Sequence, residues 1–469
     1  MLSAAHAWRL LGPAVIAFAG CSLLVDQNLS DKPGEDLGLG GSGAGGAGSG
    51  AAGSGSSASG SGTGVAGVPI GCDGSCDPTA CCGGGCVDLS TNEDHCGACD
   101  HACLAGRVCS GGQCAPSWAA MSTGFAPRVN AAAAWIGSGM FVWGGSDDVS
   151  DRSDGAIYDP EKDSWKTINS ASAPSPRALA AAVWTGSRVI VFGGGPSSTL
   201  DAYTGGAEYD PASDTWASLN PPGPPAGRRL PIAFWTGSLA VFWGGEAKGS
   251  PLSSGTRYDP STKMWTPVTK TAAPGARRGS AWAWTGSRLL IFGGAIDGIG
   301  ATSEGFAYNP ALDQWTVMSP SNAPSPRSDA FAVWMGDASG NGELLVWGGH
   351  GADDKELTSG ARYNPATDIW QPVASQGSPS KRAAPWGETG FGAWTGSQAI
   401  LVGGVDGPSF KTDGSSYDPA SGSWPAPVPS WPSGEAHERG VWLWSGREII
   451  VWGGRDGGSL LDSGERFMP

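Results

Sequence analysis

The chain has 469 residues and a formal net charge of −15, which argues against a protein whose main partner is the phosphate backbone of a nucleic acid. Hydrophobic residues make up 40% of the chain, enough to build a core, while charged residues make up only 15%, against an average of about 25%. The 78 glycines and 23 tryptophans are both abundant, and much of the glycine recurs at a regular spacing.

Residues 1–20 have the features of an export signal. The apolar run Leu10–Ala19 is too short to span a bilayer and ends in small residues just before Cys21. The tetrapeptide Phe18-Ala19-Gly20-Cys21 resembles a bacterial lipobox. This resemblance implies cleavage before Cys21, lipidation of its thiol and, because Ser22 follows, a place at the outer membrane or cell surface. An ordinary signal peptide with an incidental cysteine is the alternative.

Residues 21–71 are predicted to form a flexible tether. From Gly34 to Gly71 the chain is mostly glycine, serine and alanine, which cannot bury enough apolar surface to fold. About 40 such residues have an r.m.s. reach of about 35 Å. We therefore expect this segment to space a folded head from a membrane.

Residues 72–116 are predicted to form a disulfide-rich module, because they hold ten of the eleven cysteines. These are Cys72, Cys76, Cys81, Cys82, Cys86, Cys96, Cys99, Cys103, Cys109 and Cys114. An even number of cysteines in an exported chain indicates five disulfides, although the sequence does not fix their pairing. A zinc site is the alternative, since His95 and His101 flank the single CxxC motif. The stretch from Cys86 to Cys99 resembles cysteine-rich modules of bacterial surface lipoproteins, which implies a stalk.

From Ser117 onward the sequence repeats about every fifty residues. Each unit has an apolar run followed by a Gly-Gly pair, and another strand that ends in Trp. In the first six units a Tyr is followed seven residues later by a Trp, whereas the seventh has Phe467 in place of the Tyr. The glycine pairs begin at residues 144, 193, 244, 293, 348, 403 and 453. Four short strands per unit, joined by Gly, Pro, Asn and Asp turns, predict a β-propeller.

These markers resemble the kelch repeat across residues 117–469, which implies an all-β, seven-bladed kelch-like propeller. The recurring aromatic residues are expected to be wedges between blades. The seventh unit stops at Phe467-Met-Pro469 and lacks its outer strand. We therefore predict that the segment around Trp118 supplies that strand and closes the ring.

A ligand site is predicted on the face that carries the loops before each first strand and after each second strand, where the sequence varies most. Cationic residues recur there, seven positions before the Trp that ends the first strand. The candidates are Arg128, Arg177, Arg228, Arg277, Arg327 and, in the seventh unit, His437. Gly387 breaks this pattern in the sixth unit, where Arg382 is displaced. A ring of guanidinium groups at the channel mouth would bind carboxylate, sulfate or an acidic peptide.

Pairing with acidic loop residues is the structural alternative for these arginines. Calcium binding by the same acids is disfavoured, because no known calcium-loop spacing is present. We predict no metal and no cofactor.

Some kelch propellers are enzymes, but the propeller here lacks the cysteine that copper radical oxidases of this architecture require. A carbohydrate-active enzyme, epimerase- or lyase-like, is the alternative, with Glu388, Glu438 and His437 as acid–base groups. We expect instead a non-catalytic binding or adhesion lipoprotein, whose partner is an extracellular polysaccharide or another envelope protein. Sugar binding predicts exposed Trp or Tyr beside acidic groups, whereas peptide binding predicts arginine contacts that weaken with salt. A purely structural envelope protein is the third possibility.

Overall fold

The computed structural model describes residues 80–82, 85–96, 103, 108–219, 225–384 and 390–469. The described residues fall into two compact units, one within residues 31–115 and the other within residues 116–469. The predicted signal peptide with Cys21, the predicted tether, and Cys72, Cys76 and Cys99 lie outside the described residues, as do Gly387 and Glu388. Among the described residues, no helix is long and apolar enough to span a membrane.

The larger unit contains seven four-stranded antiparallel sheets, so the seven-bladed all-β propeller is confirmed. Blades 1 to 7 are numbered in chain order, and the strands of each blade are numbered from the channel outward. Blade 1 contains Ala132–Trp135, Met140–Trp143, Gly155–Asp159 and Ser164–Thr167; blade 2, Ala178–Trp184, Val189–Gly195, Gly206–Asp210 and Thr215–Ser218; blade 3, Ile232–Trp235, Ala240–Trp243, Gly255–Asp259 and Met264–Pro267; blade 4, Ala281–Trp284, Leu289–Phe292, Gly305–Asn309 and Gln314–Val317. Blade 5 contains Phe331–Gly336, Gly342–Trp347, Gly360–Asn364 and Ile369–Pro372; blade 6, Gly390–Trp394, Ala399–Gly403, Gly414–Asp418 and Ser423–Val428; blade 7, Val441–Trp444, Ile449–Trp452, Gly464–Met468 and Ser117–Ala120.

Short two-stranded sheets, most of them hairpins, extend several blades beyond the main sheet. They are Glu246–Ala247 with Ser250–Pro251, Ala295–Ile296 with Gly300–Ala301, Arg327–Ser328 with His350–Gly351, Val405–Asp406 with Ser409–Phe410, and Arg455–Asp456 with Ser459–Leu460. All of them involve the loop that joins the second strand of a blade to its third. These loops are therefore ordered by their own main-chain pairing and by contacts with neighbouring segments.

The second strand of each blade is buried on both sides, because its apolar run packs against the sheets before and after it. Leu289–Phe292, for example, is buried at every position. Its last residue, Phe292, packs against the outer Trp370 of the next blade, with ring centroids 4.8 Å apart. Trp143 and Trp216 repeat this arrangement between blades 1 and 2. The recurring aromatics are thus inter-blade wedges, as predicted.

Hydrogen bonds at the turn-bearing face fasten neighbouring blades together. Tyr209 donates its hydroxyl to Asp214 at 2.7 Å, and the same carboxylate accepts the main-chain N–H of Asn169 from the preceding blade at 2.9 Å. The indole of Trp216 donates to the carbonyl of Asn169 at 2.8 Å. One Tyr, one Asp and one Trp of a repeat therefore bind both their own turn and the adjacent blade.

The ring is closed by the strand Ser117–Ala120, which pairs antiparallel with the last strand of the chain. This confirms that the segment around Trp118 supplies the outer strand of blade 7, where Trp118 lies opposite Phe467. The Trp118 ring packs 5.2 Å from Trp431, and its indole N–H donates to the carbonyl of Pro429 at 2.7 Å. The outer edge of blade 7 is thereby covered by chain from the opposite end of the propeller.

The smaller unit contains two short hairpins, Ala80–Cys82 with Gly85–Val87 and Cys109–Ser110 with Gln113–Cys114. A disulfide joins Cys96 to Cys109. Cys82 and Cys103 each take part in a disulfide as well. The sulfurs of Cys96, Cys103 and Cys109 lie close enough together to suggest a metal group. Their disulfide bonding fits the predicted cross-linked module instead, since a sulfur in a disulfide is no longer the thiolate that zinc binds.

Candidate functional site

The loops after each second strand lie on the same face of the ring as the segments that enter each first strand. Main-chain bridges pair the two sets within a blade, as between Val129 and Ser146 in blade 1 or Glu438 and Arg455 in blade 7. This surface, which we call the loop face, holds the long and variable connections. It is the face on which the sequence predicted a ligand site.

The predicted cationic residues lie beneath the loop face, not on it. Arg128, Arg228 and Arg327 are 1–2% exposed. Each guanidinium donates to the carbonyl of the first glycine in the Gly-Gly pair of its own blade, as Arg327 does to Gly348 at 2.9 Å. The equivalent bonds are Arg128 to Gly144, Arg177 to Gly193, Arg228 to Gly244, Arg277 to Gly293 and Arg382 to Gly403.

All of these arginines except Arg277 also join neighbouring blades through their main-chain carbonyl. The carbonyl of Arg228 accepts the N–H of Gly194, the second glycine of the pair in blade 2, at 2.9 Å. A Cβ on Gly193 would lie 2.3 Å from that carbonyl oxygen, and Gly193 has a φ of +74°. Only glycine satisfies both demands, which explains the spacing of the glycine pairs.

Burial disfavours the charged guanidinium and lowers the pKa of Arg177, Arg228 and Arg327 to about 10. Main-chain carbonyls and nearby serine hydroxyls accept the hydrogen bonds that these three arginines donate. Burial also lowers the pKa of Arg128, although Asp154 opposes the shift by forming an ion pair at 3.0 Å. The guanidiniums are therefore engaged in the blade structure, and this placement corrects the expectation of an open arginine ring facing a ligand.

Sequence spacing misplaced the sixth member of this set. Gly387 occupies the expected position, yet Arg382, five residues earlier, makes the equivalent bond to Gly403 at 3.0 Å and is fully buried. A better signal is the proline three positions before each of these arginines except Arg128, which has Phe125 there. It recurs as Pro174, Pro225, Pro274, Pro324 and Pro379.

His437 replaces the arginine in blade 7 and is fully buried. Its Nδ1 lies 2.8 Å from the carbonyl oxygen of Gly453, so Nδ1 carries a proton and donates. Its Nε2 has no hydrogen-bond partner among the described residues, and the nearest carboxylate, Glu435, is 3.9 Å away. Burial lowers the pKa of His437, which is therefore neutral near pH 7.

Above the arginines, the loop face carries acidic and basic side chains that pair with one another. His350 contacts Asp329 at 3.3 Å and Glu356 at 3.8 Å, and the bond to Asp329 is the main cause of its raised pKa. Lys381 of the next blade reaches Glu356 at 3.8 Å and Asp406 at 2.8 Å. Ion pairs thus connect blades 5 and 6, as expected for acid-rich loops.

A cavity of about 230 Å³ opens from the loop face into the central channel beside blades 3 to 6. Its wall includes Glu246, Arg278 and Asp329 near the mouth and Trp282 and Phe331 deeper down. Of the predicted cationic residues, only Arg277 lines this cavity, and its side chain is 6% exposed. Neither His437 nor Glu438 lines it. Mixed aromatic and polar walls are typical of small-ligand sites.

The propeller has seven four-stranded blades, a glycine pair at the loop-face end of each second strand, and Tyr and Trp side chains between blades. These features define a kelch-type β-propeller. The model of the KLHDC2/KLHL20/DRC7 Kelch-repeats domain matches residues 130–339 and 279–464, and the chain belongs to this kelch-repeat family. The model of the stigma-specific STIG1-like protein family matches residues 70–117, the cysteine-rich segment. No curated protein matches the chain.

Proposed function

We propose that this chain is a lipid-anchored binding protein of a bacterial cell surface, whose kelch propeller holds another envelope protein through the loop face. The observation that carries the proposal is the asymmetry of the two faces. The face opposite the loop face repeats the same Tyr–Asp hydrogen bond in blades 1, 2, 4 and 5, whereas the connections on the loop face differ in length and sequence from blade to blade. Variable loops on a rigid ring are the usual place for recognition, and kelch propellers generally mediate protein interactions.

Exposed apolar side chains at the loop tips supply contact surface on this face. Val149 in the loop of blade 1 is 92% exposed and Ile299 in that of blade 4 is 77% exposed. Apolar residues at the centre of a contact, with charged pairs around them, are the composition that protein interfaces favour. We therefore propose a partner that covers both loops.

Binding is proposed in preference to catalysis. The acid–base candidates of the enzyme alternative do not converge on the cavity, because His437 is buried against Gly453 and Glu438 pairs with Arg439 at 3.4 Å. The third candidate, Glu388, lies outside the described residues.

Site-specific photo-crosslinking in intact cells tests the proposed face. A photoreactive amino acid at Ile299 is expected to give a discrete adduct of higher mass, because this side chain would lie within the interface. Leu312 is the matched control, since it is also apolar, is 63% exposed and belongs to the turn of the same blade on the opposite face. Adducts from both positions, or from Leu312 alone, would contradict a partner on the loop face, and so would the absence of any adduct from Ile299.

A further inference from the structure

A ring of main-chain hydrogen bonds joins the blades where the chain enters each first strand. The N–H of Leu179 donates to Asn130, that of Leu230 to Leu179, and that of Asp329 to Gly279, at 2.6–3.0 Å. Asn130, Leu179, Leu230, Gly279 and Asp329 all have positive φ, which turns each peptide toward the preceding blade. These hydrogen bonds hold adjacent blades together at the mouth of the channel.

This ring is open between blades 3 and 4. The N–H of Gly279 and the carbonyl of Leu230 are the groups that would complete it, and neither has a hydrogen-bond partner among the described residues. The first strands of blades 3 and 4 also contact each other less than those of any other neighbouring pair. Both groups line the cavity, so the two blades are parted where it lies.

An aromatic side chain also interrupts the repeat at this cavity. The residue two positions before the Trp that ends each first strand is Ala133, Ala182, Ala233, Trp282, Ala332, Gly392 and Trp442 in blades 1 to 7. Trp442 is 1% exposed and packs on Trp431. Trp282 is partly exposed and lines the cavity, so it presents an aromatic surface to the space between the blades.

Glu246 adds an acceptor to the same wall. The residue is 8% exposed, and its Oε1 is buried without a hydrogen-bond partner among the described residues. Its Oε2 lies 3.8 Å from Nε of Arg278. A buried carboxylate oxygen without a donor is costly, and a ligand hydroxyl would satisfy it.

The cationic groups of the wall are already paired. Arg278 donates to Asp297 and to the carbonyl of Gly249. Arg277 donates to Gly293 at 3.2 Å and to Glu304 at 2.9 Å. Among the described residues of the wall, the groups without a partner include two acceptors, the Leu230 carbonyl and Glu246 Oε1, and one main-chain donor, the Gly279 N–H. This combination favours neutral hydroxyls over an anionic ligand.

We propose that the cleft between blades 3 and 4 binds one neutral hexopyranose unit of a saccharide, with the sugar ring stacked on Trp282. The apolar face of a pyranose suits an indole surface. Its hydroxyls both donate and accept, so they can bridge the Leu230 carbonyl, the Gly279 N–H and Glu246. The cavity has a volume of about 230 Å³, whereas one water molecule occupies about 30 Å³. The space is therefore larger than a single bridging water needs. The inference goes beyond the proposed function and does not depend on it, although both use the loop face.

Isothermal titration calorimetry of the detergent-solubilised full chain tests the proposal. The probes are the methyl glycosides of glucose, galactose and mannose, with methyl glucuronide and tetraglycine as comparisons. At least one neutral glycoside is expected to bind with a micromolar to millimolar dissociation constant. The glucuronide is expected to bind more weakly, because Glu246 repels its carboxylate.

Trp282→Ala is expected to weaken that binding at least tenfold and to leave the fold intact, because alanine occupies the equivalent position in four other blades. Glu246→Gln keeps the side-chain shape and is expected to weaken it several-fold. The control Trp184→Ala removes a partly exposed Trp at the opposite end of a first strand and is expected to change affinity less than twofold. Melting temperatures are compared for all three variants.

The saccharide site would be overturned if no neutral glycoside gave a heat of binding, or if Trp282→Ala bound the glycoside as tightly as the parent protein. Tighter binding of the glucuronide or of tetraglycine than of every neutral glycoside would overturn it as well. The crosslink from Ile299 would still form in that case, and the proposed protein-binding function would stand. Loss of the crosslink with glycoside binding retained would reject the protein partner alone.

Discussion

At the scale of single residues, an arginine in most blades joins two parts of the ring. Its guanidinium binds its own blade and its carbonyl binds the glycine pair of the blade before, as Arg228 shows with Gly244 and Gly194. A recurring cation near variable loops suggested a ligand site, and sequence alone does not reveal that the side chain turns inward. Burial of the guanidinium depends on its contact with the glycine pair at the end of the second strand. The spacing of residues in the sequence does not show that the two come together in three dimensions.

His437 replaces the arginine in blade 7, and its titration makes the free energy of unfolding depend on pH. Its pKa is below 6.5 in the folded protein because of burial, opposed by the Gly453 bond and by Glu435 and Asp456. As pH falls below 6.5, the unfolded chain takes up a proton that the folded protein does not. The free energy of unfolding then decreases by at most about 1.4 kcal/mol per pH unit, until the folded pKa is reached.

The variant His437→Gln keeps a donor for the Gly453 carbonyl but cannot titrate. Melting curves of the variant are expected to depend less on pH between 6.5 and 5 than those of the parent protein. His350 acts at higher pH and with the opposite sign, because its raised pKa adds stability as pH falls toward 6.5. Equal pH slopes below 6.5 for the two proteins would show that His437 does not cause the loss.

At the scale of strands and blades, much of the fold could be read from the sequence. Seven glycine pairs, the Tyr–Trp spacing and the missing last strand were enough to predict the blade number and the closing segment. The cavity was not predictable, because it depends on how far blades 3 and 4 stand apart. The mark that the sequence carries of that place is Trp282, where four other repeats have alanine.

The closing strand is expected to stabilise the whole ring. Trp118 is 8% exposed and packs on Phe467 and Trp431. Trp118→Ala should lower the free energy of unfolding by about 3–5 kcal/mol, the usual cost of removing a buried Trp. Deleting residues 117–121 should lower the melting temperature further.

A deletion of five residues within residues 41–60 is the control for the shortened chain, because it removes the same length of polypeptide from the predicted tether. This control is expected to melt like the parent protein. If the 117–121 deletion melted at the parent temperature as well, the closing strand would contribute nothing to stability.

At the scale of the whole molecule, the propeller and the cysteine-rich unit are stabilised differently. The propeller contains no cysteine and relies on buried aromatic and aliphatic side chains, whereas the small unit relies on disulfides. Neither depends chemically on the proposed lipid. The proposed anchor at Cys21 can therefore be tested without disturbing either unit.

Cys21→Ser is expected to move the protein from the membrane fraction of lysed cells to the soluble fraction, because the thiol that would carry the lipid is gone. Ser22→Ala is the neighbouring control and is expected to stay with the membranes. The melting temperature of the propeller should be the same in both variants. Persistence of Cys21→Ser in the membrane fraction would reject the anchor and favour another mode of attachment.

The closure of the ring also sets the order of events during synthesis. Ser117–Ala120 pairs with residues made roughly 350 positions later, and at about 5–20 residues per second this takes tens of seconds. Throughout that time the strand has no edge to pair with, although its Trp is ready to be buried. A newly made chain therefore carries an unpaired strand until residues 464–468 are made, and during that interval it is most exposed to mispairing with a second copy.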